Sequence, residues 1–184
     1  MDKKTFQLGI IVGRFQALHA GHELMINTGV SICEEMLVFI GSSQEQGTEK
    51  NPFSYELRKE LLTDVFGDSI KIYPLPDIGV GNNGRWGDYV IENAVKCAGK
   101  KPDLLVSGKE SRRRDWFDGI EGVSISELYI PNSIDISASE IRELFINDEL
   151  DKWKSYVNEK LWPRYDELRQ IVLRSNVNKE TDSI

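Results

Sequence analysis

The 184 residues carry a formal net charge of -7 with 40% hydrophobic and 29% charged side chains, which fits one globular domain around one core. So acidic a body has no general attraction for a nucleic-acid backbone or an anionic membrane, and phosphates would need a local cluster of donors. No apolar run reaches bilayer-spanning length and Leu8 to Val12 is too short for a secretion leader, so a cytoplasmic protein is expected, with neither nucleic acid nor membrane as partner.

Leu8 to Val12 is a compact β-branched run that stops at Gly13, the pattern of a buried strand. Over 20–35, Leu24, Met25, Thr28 and Ile32 recur at helical spacing, and Met36 to Ile40 is a second apolar run. Strand, helix and strand in such close succession make a βαβ unit and hence a parallel sheet. Ser54 to Phe66 predicts a helix capped by Ser54, Ile70 to Tyr73 a strand, Trp86 to Cys97 a helix, Asp103 to Val106 a strand and Val123 to Tyr129 another. The basic run Arg112 to Arg114, bracketed by Glu110 and Asp115, reads as a solvated loop, with a phosphate contact as the alternative. A helix follows Ser137 as far as Phe145, and one or two more occupy Asp148 to Leu173 before a polar, frayed end. Cys33 and Cys97 fall in helical sequence and fit neither a disulfide framework nor a zinc ribbon, so buried structural thiols are expected. The alternation argues for an open, doubly wound parallel α/β sheet. One domain is expected, with an α/β core over 8–147, a helical part over 148–174 and a tail over 175–184.

Such sheets bind ligands beyond the carboxyl ends of their strands, here the turns at Gly13, Gly41, Pro76 and Ser107. The first reads Gly13-Arg14-Phe15-Gln16-Ala17-Leu18-His19-Ala20-Gly21-His22 and holds both histidines of the chain. A helix start offers free N–H groups and a positive dipole to a phosphate, imidazoles at i and i+3 share a face, and Gly21 between them permits close approach. Read alone, the pair favours surface or capping histidines, and a metal site lacks a third ligand. The second constellation is Ile136-Ser137-Ala138-Ser139-Glu140-Ile141-Arg142. Ser137 with Glu140 is a capping box, a good helix start with or without an anion before Ser139 and Arg142. Gly79-Val80-Gly81-Asn82-Asn83-Gly84 matches the dinucleotide fingerprint by letter. It follows a Pro-interrupted segment, however, and no acid ends the next strand, which disfavours an oxidoreductase. Ser107-Gly108-Lys109 is no P-loop, since Asp103 stands where the first glycine belongs.

The two signatures occur together in the HxGH nucleotidyltransferases, whose second motif has the form I-S-[ST]-T-x-I-R, and the chain resembles that superfamily with Ser139 at the threonine position. Within it the chain is most similar to the archaeal-type nicotinamide mononucleotide adenylyltransferases. Gly13-Arg14-Phe15-Gln16, Gly41-Ser42-Ser43-Gln44-Glu45 and Asn51-Pro52-Phe53 with Arg58 carry that likeness. So do Pro76-Asp77-Ile78 with Trp86 and Tyr89-Val90, and Ser107-Gly108, so that the matches span 9–142. The departures are Ala17 for a proline, which should loosen the turn, Lys109-Glu110 where Asn-Pro is common, and a glycine-rich loop from Asp77 to Trp86.

The resemblance implies a Rossmann-like nucleotidyltransferase fold and transfer of AMP from ATP to nicotinamide mononucleotide, giving NAD and pyrophosphate. The acceptor phosphate would attack the α-phosphorus directly, with no covalent enzyme intermediate. His19, His22 and Arg142 would be the catalytic donors to ATP phosphates. Gly13, Arg14, Phe15, Gln16, Gly21, Arg58, Ser107, Gly108, Ser137 and Ser139 would bind ATP. Trp86, Asp77 and Asn83 would bind the acceptor, with Trp86 either stacked on the ring or anchoring its own helix. Mg²⁺ would arrive with ATP, held by phosphate and water rather than by a protein metal site, and a homo-oligomer is implied. The alternatives are a sister enzyme using nicotinic acid mononucleotide or phosphopantetheine, and a nucleotide-binding regulator without turnover. Retention of both histidines with Arg142 favours an enzyme.

Overall fold

A computed structural model describes residues 3–81, 83–118, 124–131 and 134–181, with side chains through 177. Five strands form its sheet: β1 (Phe6–Gly13), β2 (Cys33–Gly41), β3 (Lys71–Leu75), β4 (Leu104–Ser107) and β5 (Ser126–Tyr129). All pairings are parallel and the order is β3-β2-β1-β4-β5. Between the strands run α1 (Ala20–Ile32), α2 (Tyr55–Phe66), α3 (Gly84–Ala98) and α4 (Arg112–Phe117). After β5 come α5 (Ala138–Ile146), α6 (Leu150–Tyr156) and α7 (Tyr165–Thr181). The doubly wound α/β architecture expected from the alternation is the one observed.

Period-two alternation in the central strands serves two apolar layers, which is why those strands read as unbroken apolar runs. Ile11, Val38, Ile40 and Val106 face a layer that includes Ile26, Leu61, Phe145 and Leu168. Leu8, Ile10, Leu37, Phe39 and Leu105 face the other, with Val90 and Ala94 from α3 and Trp116 from α4. At the start of β4 the Asp103 carboxylate accepts the N–H groups of Gln7 and Leu8, each at 2.9 Å, which sets β1 against β4. The chain leaves β1 toward β2 and β3, then returns to build β4 and β5 on the opposite side. That reversal opens a crevice above the carboxyl ends of β1 and β4.

Several local expectations are corrected. α1 ends at Ile32, so Cys33 is the first, buried residue of β2 rather than helical; Glu34 and Glu35 disguise the start of the strand. The buried face of α1 is Ile26 and Gly29, whereas Leu24 is exposed. The arginine run belongs to α4 instead of a solvated loop, because Trp116 and Phe117 bury themselves against α3 and draw the segment in. Gly87 permits that docking: a Cβ there would lie 1.8 Å from the Trp116 carbonyl oxygen. Val123, expected in a strand, lies outside the described residues, and the observed strand starts at Ser126. α7 carries helix on to Thr181 with Ser175 buried, past the expected point of fraying. Among the described residues no helix is long and apolar enough to cross a membrane.

Candidate active site

Above β1 and β4 lies a cavity of about 800 Å³ whose wall includes Gly13, His22, Asp77, Trp86, Ser107 and Arg112. A smaller one of about 250 Å³ is bounded by Arg14, Gln16, His22, Ser137, Ser139 and Arg142 among others. Arg14, Phe15 and His22 border both, so the turn after β1 is the shared wall.

His19 is the N-cap of α1: its backbone is extended and its Nδ1 accepts the Gly21 N–H at 3.2 Å. That bond leaves the proton of the neutral ring on Nε2, as a donor. Burial pushes the His19 pKa down to about 4, with Glu140 opposing the shift, so the ring is uncharged near neutrality. In the first turn, the His22 ring centroid lies 3.9 Å from that of His19 and 4.9 Å from that of Phe15. Burial, then the neighbouring His19, push the His22 pKa well below its ordinary value. Its buried Nδ1 has no hydrogen-bond partner among the described residues. Such a buried orphan costs roughly 1–3 kcal/mol, which a ligand in the cavity would relieve. A Cβ on Gly21 would press on the His19 ring at 3.1 Å, so this glycine makes room first of all for the imidazole. Phe15 holds a φ of 51° and lays its ring under Gly13, where a Cβ would lie 2.9 Å from it.

Arg142 reaches back from α5 to the same turn. Its Nη1 donates to the Gln16 and Ala138 carbonyls and its Nη2 to Ser139 Oγ. Two of the five guanidinium N–H groups therefore stay uncommitted among the described residues. Burial, then the nearby Arg14, lower its pKa. Ser137 caps α5 in the expected box: its N–H and hydroxyl both donate to Glu140, and its Oγ accepts the Glu140 N–H. Two guanidinium groups, a neutral imidazole and two serine hydroxyls thus border one small cavity, a set suited to phosphate oxygens.

The side chains of three residues expected at the ligands are committed to other partners, although Gln16 remains in the wall of the smaller cavity. Arg58 is 1% exposed, and its five N–H groups donate to the carbonyls of Ser54, Arg14, Gly41, Ser42 and Glu45, the last at 3.5 Å. No donor is left for ATP; the residue instead ties the turns after β1 and β2 to α2. Gln16 is buried and its amide exchanges two 2.8 Å bonds with the Phe53 N–H and carbonyl. Asn83 caps α3, with Oδ1 accepting the Trp86 N–H and Nδ2 donating to the Val80 carbonyl, and it stands outside the cavity wall.

Asp77, Trp86, Ser107 and Gly108 do line the larger cavity. The Ser107 hydroxyl donates to the Lys109 carbonyl and accepts its N–H, which shapes the turn after β4. Trp86 is 8% exposed and meets Trp116 edge to face at 6.4 Å, so it anchors α3 while contributing to the wall. Met25, Lys109 and Trp116 are wall residues that the sequence did not single out, and Arg112 joins them from the run whose alternative reading was a phosphate contact. The available signal was position: three of the four follow the carboxyl end of β4.

Residues 10–144 match the cytidylyltransferase-like family, and the chain belongs to it. It is 40% identical over 154 residues to a nicotinamide-nucleotide adenylyltransferase of Thermococcus onnurineus, a match covering 81% of this chain and 76% of that one. The protein of that name from Thermococcus kodakarensis is 36% identical over 155 residues, covering 81% and 77%. With its counterpart in Saccharolobus solfataricus the 40% identity is confined to 88 residues, 45% of this chain and 50% of that one. Among solved structures, a bifunctional NMN adenylyltransferase/ADP ribose pyrophosphatase from Francisella tularensis, complexed with AMP and a manganese ion, shares the fold with a TM-score of 0.71 at 21% identity. The match covers 95% of this chain and 54% of that one, so the chain spans about half of the bifunctional protein.

Proposed function

We propose that the protein transfers the adenylyl group of ATP to nicotinamide mononucleotide, forming NAD and pyrophosphate. The observation that carries this reading is the pair of cavities meeting at Arg14 and His22. The smaller, with Arg142 and Ser139, suits the phosphates that depart. The larger, of a size for a nucleotide and with Trp86 in its wall, suits a planar ring. The Thermococcus relatives carry the same activity in their names and support it.

A phosphate oxygen of the acceptor attacks the α-phosphorus as the bond to the bridging oxygen of pyrophosphate breaks. His19 Nε2–H and His22 donate to the phosphates as charge spreads over them. Arg142 supplies its two open N–H groups to the leaving pyrophosphate, and Arg14 stands between the two substrates. Catalysis is then positioning and charge stabilisation, with neutral imidazoles that no proton transfer needs to reset. Mg²⁺ would arrive with the triphosphate and would add charge stabilisation at its oxygens, while Arg14, His22, Ser139 and Arg142 hold those phosphates. Incubation with ATP, Mg²⁺ and a panel of phosphorylated acceptors, reading pyrophosphate, tests the reading. Release with nicotinamide mononucleotide is expected; nucleotide binding without release for any acceptor contradicts it and leaves a regulator.

A further inference from the structure

The chain leaves β1 at Gly13 and enters α1 only at Ala20, so the residues between them belong to no strand or helix. Their geometry has to be imposed from outside, and α2 with the segment before it imposes it twice. Arg58 Nη1, on α2, donates to the Arg14 carbonyl at 2.9 Å. Two residues further on, the 2% exposed Gln16 turns its amide inward and exchanges two 2.8 Å bonds with the main chain of Phe53, one in each direction. Phe53 is a firm anchor: it is fully buried, and the next residue, Ser54, caps α2 by accepting the Leu57 N–H. With its side chain held in this way, Gln16 presents its own carbonyl to α5, where it accepts Arg142 Nη1.

That bond differs in kind from the others that Arg142 makes. Its remaining acceptors, the Ala138 carbonyl and Ser139 Oγ, lie in the first turn of the same helix and move with it. Among the described residues the Gln16 carbonyl is the acceptor that belongs to another element, so this bond fixes the guanidinium relative to the turn carrying Arg14 and the histidines. An arginine stem otherwise has about 2 kcal/mol of rotamer freedom to lose. Arg14, Gln16, His22 and Arg142 border the same small cavity. The placement set here is therefore that of the groups facing the departing phosphates against those facing the α-phosphorus. Resting on the adenylyl-transfer reading above, we propose that Gln16 is a positioning residue for the transfer: its amide, locked on Phe53, aims its carbonyl at Arg142 and so sets the guanidinium against the leaving pyrophosphate. The amide itself holds no substrate and acts through Arg142. Transfer is sensitive to such placement, since a shift of about 1 Å costs on the order of a hundredfold in rate.

A double-mutant cycle tests this, with Gln16→Met, Arg142→Ala and the pair assayed for NAD formation beside the wild type. Methionine keeps roughly the volume of glutamine and removes both amide bonds. Circular dichroism checks the fold of each protein before assay. In the wild-type background Gln16→Met should lower kcat/KM for ATP about ten- to a hundredfold, with the KM for nicotinamide mononucleotide steady. In the Arg142→Ala background the same change should cost about twofold or less, since the group that Gln16 positions is gone. A residue that only stabilised the fold would cost the same factor in both backgrounds. If Gln16→Met does not fold, Gln16→Glu takes its place in the cycle with the same expectation, since it keeps the shape and the acceptor for the Phe53 N–H. Equal losses in the two backgrounds, or a folded Gln16→Met protein working at the wild-type rate, overturn the proposal and leave the transfer reading standing. A wild type that binds ATP and forms no NAD overturns that reading and the proposal with it.

Discussion

Replacing Arg58 by lysine should damage the fold of the site rather than a contact with ATP. The guanidinium is 1% exposed and meets five main-chain carbonyls drawn from three segments. An ammonium has three N–H donors from one point, so at least two of those carbonyls lose their partner. At about 1–3 kcal/mol for each buried acceptor left unpaired, the expected loss is roughly 2–6 kcal/mol. For a chain of this size each kcal/mol moves the midpoint by about 2–4 °C, so the melting temperature should fall by about 4–24 °C. Burial lowers the Arg58 pKa only to about 10, so the group is charged at neutrality and its full set of bonds is present in the assay. Thermal unfolding followed by circular dichroism, with steady-state kinetics on the same preparations, checks this. The reasoning is refuted if Arg58→Lys melts like the wild type while the KM for ATP rises, the outcome of a direct phosphate contact.

His19 titrates near 4 in the fold and near 6.5 when unfolded, so the unfolded chain binds more protons between these values and stability is lost as pH falls through that window. By pH 5 the loss is about 2 kcal/mol, and the drop in melting temperature from pH 7 to pH 5 should be smaller in His19→Asn, which keeps a helix cap; equal drops contradict the shift. Gly87→Ala places a methyl 1.8 Å from the Trp116 carbonyl oxygen, so α4 must move; a fall in melting temperature with a rise in acceptor KM is expected, and wild-type values for both refute the close docking. Trp86→Phe should raise acceptor KM with ATP KM steady, while Trp86→Ala should also melt earlier, since truncating a buried tryptophan costs about 3–5 kcal/mol; an alanine variant that melts earlier with acceptor KM unchanged makes the residue a core anchor only.

The alternation of apolar runs was legible because both faces of the sheet are covered, and period two within Leu8–Ile11 and Leu37–Ile40 serves the two layers. Strand order was not, since a crossover does not announce the side to which it returns. The histidine turn and the Ser137–Arg142 segment could be named because helix caps are local, and residues within the capping box satisfy one another. Arg58 was misread because its partners are main-chain carbonyls, and nothing in their side chains marks them. The side chains of Gln16 and Asn83 are likewise committed to main-chain groups, N–H as well as carbonyl, although Gln16 still borders the smaller cavity. Arg112 reads from sequence as part of a solvated run, with a phosphate contact only the alternative, because nothing local shows that Trp116 and Phe117, a few residues on, draw it onto α3.

The central claim, adenylyl transfer to nicotinamide mononucleotide at the paired histidines, is tested most directly by following NAD and pyrophosphate together in the wild type and in His22→Ala. Both products should form in equal amounts with the wild type. The folded variant should bind ATP yet turn over about 10²–10³ times more slowly, the usual cost of losing one donor aimed at developing charge. Pyrophosphate without NAD, or a folded His22→Ala protein working at the wild-type rate, would contradict the account.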